Sequence, residues 1–107
     1  MNFRVAVADD EPLARVMVAE LARQDPEVGE VLECGDGRRL LDVVSAHHPD
    51  IVFVDFEMPG VDGLQAAHSL KRTGIAVVFV TAFSQYAASA FDAAAVDYLL
   101  KPFPDRK

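Results

Sequence analysis

The chain has 107 residues, 51% of them hydrophobic and 25% charged, a balance that excludes a disordered chain and fits one small domain with a single core. Ten basic against 17 acidic residues give a formal net charge of −7, and the basic ones are scattered, which argues against direct nucleic-acid contact by this domain, since such surfaces concentrate Lys and Arg. The longest apolar run, residues 75–80, is strand-sized and far below the roughly 18 residues of a membrane span; with Cys34 as sole cysteine and no basic, cleavable leader, a cytoplasmic protein without membrane contact is expected.

In chain order, residues 3–8 (FRVAVA) read as a short apolar strand closed by Asp9 and Asp10. Residues 11–24 carry Leu13, Val16, Met17 and Leu21 at helical spacing, with Pro12 near the start, where a missing N–H costs nothing. Residues 28–34 alternate Val28, Val31 and Leu32 with acidic residues, a weaker strand expected at a sheet edge. Asp36 and Gly37 turn the chain into a helix over 38–47, stopped by Pro49. Residues 50–54 (DIVFV) form a continuous apolar strand ending at Asp55. A turn-rich loop over 58–63 precedes a helix over 64–72, capped by Gly74. Residues 75–80 (IAVVFV) form another continuous strand ending at Thr81, residues 84–95 an alanine-rich helix, and residues 96–100 (VDYLL) a last strand ending at Lys101.

Strands alternating with helices of about ten residues signal a parallel sheet covered on both faces, and right-handed crossovers limit it to a doubly wound α/β sandwich. After Lys101 only six residues remain, too few for the helix that should cover one sheet face. The reading is therefore one domain over 1–107 that lacks most of a final helix, cut from a longer protein or completed by a partner; bare apolar sheet then predicts self-association, a homodimer being the simplest form.

In open α/β sheets the ligand crevice lies beyond the carboxyl ends of the strands. There the pattern places Asp9 and Asp10 (first strand), Asp55 (third), Thr81 (fourth) and Lys101 (fifth). Three carboxylates so close repel one another, and one Lys cannot neutralise them. A hard divalent cation can, and an all-oxygen site open to water and phosphate matches Mg²⁺. The alternative for any single Asp is helix capping or loop solvation; the coincidence of five groups at strand ends favours the site.

Asp9-Asp10, Asp55, the Met58-Pro59-Gly60-Val61-Asp62-Gly63 loop, Thr81-Ala82 and Lys101-Pro102-Phe103, in order along essentially the whole chain, resemble the signature set of response-regulator receiver domains. The stretch from Thr81 to Phe91, with Asp97-Tyr98-Leu99-Leu100-Lys101-Pro102, is similar to receivers that precede LytTR-type DNA-binding output domains. The resemblance implies a flavodoxin-like (CheY-like) five-stranded parallel sheet in the order 2-1-3-4-5. It implies that Asp55 accepts a phosphoryl group from a sensor histidine kinase, and that Asp10, Asp55, Asp9 and the backbone carbonyl of Glu57 hold Mg²⁺. Lys101 would pair with Asp55 and then with a phosphoryl oxygen, while Thr81 and Tyr98 would form the switch that signals to an output domain outside this chain. The protein would catalyse only its own modification and not act as an enzyme on an external substrate.

Two rivals are weighed against this reading. A small phosphatase of the haloacid-dehalogenase type also uses an Asp nucleophile with Mg²⁺, but it places a second Asp two residues on, where Glu57 stands here. A degenerate receiver that binds partners without phosphorylation would lack key residues that are present. Phe83, two residues after Thr81, is placed to shield an acyl phosphate from water or simply to pack on the following helix. His47, His48 and His68 lack ligand spacing and read as solvated surface, Cys34 as a small buried filler.

Overall fold

The computed structural model describes residues 2–55, 63–70, 73–81 and 97–100. The expected helix over 84–95, and Glu57, Phe83 and Lys101, lie outside the described residues. In chain order the elements are β1 (Phe3–Ala8), α1 (Pro12–Arg23), β2 (Val28–Cys34), α2 (Gly37–His47), β3 (Ile51–Val54), α3 (Gly63–Leu70), β4 (Ala76–Thr81) and β5 (Asp97–Leu100). Every described strand pairing is parallel, in the order β2-β1-β3-β4-β5. This is the doubly wound topology the sequence predicts, with β2 at an edge.

The continuous apolar strands have a two-sided burial. On one face Ala6, Ala8, Val52, Val54, Val77 and Phe79 pack with Leu40 of α2 and with Ala66 and Leu70 of α3. On the other, Val5, Val7, Val78 and Val80 pack with Val18 and Ala19 of α1. Successive strand side chains point to opposite faces, so a strand clothed on both sides needs apolar residues at every position. Ile51 and Phe53 on the α1 face are only half-buried, and with Val5, Val18 and Val28 they line a groove of about 440 Å³.

Local signals set the helix ends. The Asp36 carboxylate accepts from the Arg39 N–H at 2.8 Å and caps α2. His48 closes that helix in the left-handed region at φ +48°, just before Pro49. Gly74, the expected stop after α3, has φ +80°, which only glycine adopts without strain. His47, His48 and His68 are exposed, and no helix among the described residues is long and apolar enough to cross a membrane.

One expectation is corrected. The stripe Leu13, Val16, Met17 and Leu21 reads as the buried face of α1, yet Leu13, Val16 and Met17 are 73%, 44% and 43% exposed, and Leu21 alone of the four is half-buried, beside the groove. Ala14, Val18 and Ala19 are buried instead. At 100° per residue the two sets lie on roughly opposite sides of the helix. The alanines let α1 approach the sheet closely, and the larger side chains are turned outward.

Candidate functional site

The parallel register brings the ends of β1 and β3 together. Ala8 pairs with Cys34 on one side and with Val54 on the other. One residue beyond, the Asp9 N–H donates to the Cys34 carbonyl and the Asp55 N–H to the Ala8 carbonyl, both at 3.1 Å. These bonds extend the ladder past the strands and fix where both Asp residues leave the sheet.

Asp9, Asp10 and Asp55 each offer a carboxylate oxygen within 4.8 Å of the others. Asp9 and Asp55 are buried at 2% and 8% exposure, and Asp10 is exposed. For the two buried groups, full ionisation at that separation implies repulsion of about 3 kcal/mol at an effective dielectric near 20. Closely spaced carboxylates facing an open side suit a hard cation that takes oxygen ligands from protein, water and phosphate. The donor set therefore fits a divalent metal.

Asp9 also does what the capping alternative describes. Its Oδ1 accepts from the Glu11 N–H at 2.9 Å, an Asx turn that leads into α1. The N-cap position, Glu11, makes no side-chain cap bond of its own, and Pro12 follows it. The turn and the cluster share one residue.

Thr81 is the last residue of β4, at the carboxyl edge, with Leu100 opposite on β5. Tyr98 lies within β5 in register with Phe79. The fold thus brings Asp9, Asp10 and Asp55 together and puts Thr81 on the same edge. Two residues that the sequence reading passed over belong to the site's surroundings: Arg15, whose Nη1 donates to the Asp9 carbonyl at 3.1 Å, and Glu33 of β2, which accepts from Arg15 Nε at 3.3 Å. The signal was the spacing of Arg15, five residues after Asp10, which returns a helical side chain toward the helix start.

Cys34 is 1% exposed in the α2 and α3 core, as expected for a small filler. Burial, reinforced by the Asp36 carboxylate, pushes its thiol up to about 11, so it stays protonated and inert at neutral pH.

A doubly wound parallel sheet with a carboxylate cluster beyond two adjacent inner strands, β1 and β3, defines an α/β module with an acidic crevice that could hold a cation. The chain belongs to the response regulator receiver domain family, whose sequence model matches residues 5–107. It is 32% identical over 111 residues to the sensory transduction protein LytT of Oceanobacillus iheyensis, covering 100% of this chain and 45% of that protein. It is 43% identical over 104 residues to the positive alginate biosynthesis regulatory protein of Pseudomonas aeruginosa, covering 94% of this chain and 42% of that one. Among solved structures, the signal receiver domain of the response regulator NarL from Mycobacterium tuberculosis superposes with a TM-score of 0.86 at 32% identity, over 96% of this chain and 86% of that one. The chain thus spans less than half the length of these two curated relatives. The match is to a two-component receiver and not to a phosphatase family, which sets aside the haloacid-dehalogenase alternative.

Proposed function

We propose that Asp55 is the phosphoacceptor of this receiver and that Asp10, Asp55 and Asp9, with the backbone carbonyl of Glu57, hold the Mg²⁺ that transfer requires. The observation that carries the reading is the convergence of Asp9, Asp10 and Asp55 at one sheet edge. The cation supplies charge neutralisation for the cluster and for the incoming phosphoryl oxygens. An Asp55 carboxylate oxygen attacks phosphorus in line; the O–P bond forms as the donor's P–N bond breaks, and the donor imidazole leaves with that electron pair. Lys101 pairs with a phosphoryl oxygen, and the Thr81 hydroxyl donates to another. Tyr98 turns toward the space Thr81 leaves, which carries the change to the output surface. Attack of water on phosphorus later releases phosphate and restores the carboxylate; Phe83 slows that step by covering the approach.

The donor is a sensor histidine kinase, and the output is a DNA-binding domain of the LytTR type that follows this domain in the parent protein. Likeness to LytT and to the alginate regulator supports that assignment. The outward stripe Leu13, Val16 and Met17 begins three residues after Asp10, so a kinase helix seated on it would lie beside the acidic crevice. The half-covered α1 face supports self-association of the 107-residue chain, and a monomer by light scattering at high concentration would count against that.

Titration with Mg²⁺ and beryllium fluoride, followed by amide NMR, tests the central assignment. Shifts centred on Asp55 and absent in Asp55→Asn are expected. No response in the wild-type chain would favour a receiver that works without phosphorylation.

A further inference from the structure

Arg15 lies on the sheet-facing side of α1, three and four residues before the buried Val18 and Ala19. Its side chain is 22% exposed, unusual for a guanidinium on a small domain. Nη1 reaches the Asp9 carbonyl at 3.1 Å, and Nε reaches Glu33 Oε1 at 3.3 Å. The second oxygen of Glu33 accepts from Arg23 Nη2 at 3.3 Å, and Arg23 pairs in turn with Glu20 at 3.0 Å. One planar fork therefore bridges the β1–α1 loop and the edge strand β2, and a second arginine holds its anchor.

The Asp9 carbonyl belongs to the same rigid plane as the Asp10 N–H. Holding that oxygen constrains the plane before Asp10, and the Glu11 N–H, bonded to Asp9 Oδ1, constrains the plane after it; together they set the φ and ψ of Asp10 and so the direction in which its side chain leaves the backbone. The other groups of Asp9 are already tied, its N–H to Cys34 and its Oδ1 to Glu11. Arg15 holds the remaining backbone group. We propose that Arg15, anchored by Glu33, is a positioning residue for the divalent cation: by clamping the Asp9 carbonyl it aims Asp10 at the cluster it forms with Asp9 and Asp55. This rests on the assignment of that cluster as the metal site.

The sign of the effect separates positioning from simple charge. A cation near a metal site repels the metal, so deleting Arg15 for electrostatic reasons alone would tighten metal binding. Deleting a positioning group loosens it, and partners that orient metal ligands are typically worth ten- to a hundredfold in affinity.

The test is Mn²⁺ uptake by the 107-residue chain, read from loss of the free-ion paramagnetic resonance signal, with far-UV circular dichroism on each variant. Arg15→Gln is expected to weaken Mn²⁺ binding about tenfold. Arg15→Lys keeps the charge without the planar fork and is expected to weaken it nearly as much; it decides the matter should Arg15→Gln fail to fold. Glu33→Ala is expected to weaken binding less, and to add nothing once Arg15 is replaced. Unchanged or tighter binding in a folded Arg15 variant, with the wild type binding normally, overturns the inference. A wild-type chain that takes up no Mn²⁺ overturns the metal assignment itself and the inference with it.

Discussion

The backbone N–H of Asp55 donates to the carbonyl of Ala8 at 3.1 Å, and that bond sets the residue that follows β3 beside the last residue of β1, 47 positions earlier. Because Asp9 follows Ala8, the same bond places two buried carboxylates next to each other. A cation that took both as ligands would relieve the repulsion between them.

Asp55→Asn removes one of those charges while keeping the shape. In chelator it is expected to be more stable than the wild type by about 1 kcal/mol, as repulsion predicts for a partly screened pair. With Mg²⁺ the order changes: the wild type gains stability with the logarithm of metal concentration, about 2.7 kcal/mol at a hundred times the dissociation constant, and Asp55→Asn gains little. Thermal melts with and without Mg²⁺ check both halves. Identical Mg²⁺ responses would remove Asp55 from the metal site.

Leu13→Ser, or Met17→Ser, changes an exposed position on α1 and should leave stability within about 0.5 kcal/mol. Transfer from the partner kinase is expected to slow about tenfold, the loss of one interface anchor. Phosphorylation by a small acyl phosphate, which needs no docking surface, is expected to proceed at the wild-type rate. Equal slowing with both donors would place the defect in the site and not in docking.

The Cys34 thiol gives a dependence on pH with a fixed sign. An unfolded thiol ionises near 8.5, whereas burial holds the folded one up to about 11. Between those values the unfolded chain has released a proton that the folded chain retains, so stability falls as pH rises. The slope approaches about 1.4 kcal/mol per pH unit and levels off above the folded value. Urea unfolding from pH 7.5 to 10.5 should show this loss in the wild type and a shallower one in Cys34→Ala; parallel slopes would refute it.

Phe79 is fully buried on β4 at the centre of the α2 and α3 face. Phe79→Ala is expected to cost about 3–5 kcal/mol, a large share of what a domain of this size has. Guanidinium denaturation measures it, and a loss below about 1 kcal/mol would mean that the site collapses around the missing ring.

Much of this was legible before any coordinates. The unbroken apolar runs around Val52 and Val54 and from Val77 to Val80 admit only strands buried on both sides, and the polar residues that end them, Asp55 and Thr81, mark the crevice. The turn at Asp36 into α2 and the left-handed backbone at Gly74 were equally open, because each is a local matter of a few residues. The orientation of α1 was not. Its sequence carries two apolar sets on different sides of the helix, Leu13-Val16-Met17-Leu21 and Ala14-Val18-Ala19-Ala22, and hydrophobicity alone prefers the first. The sheet takes the second, because the small side chains of Ala14 and Ala19 allow close approach.

The order of residues along the chain was thus enough to settle the class of fold, the edge of the sheet where chemistry gathers and the acids that gather there. Each of those follows from periodicity and from what ends a strand, and both are local. Only the folded molecule decided that Asp9, Asp10 and Asp55 fall within 4.8 Å, which side of α1 meets the sheet, and that Arg15 and Glu33 clamp the loop between them. These are settled by how closely helix and strand pack, and the pairs Asp9 with Asp55 and Arg15 with Glu33 are brought together across elements that lie far apart along the chain.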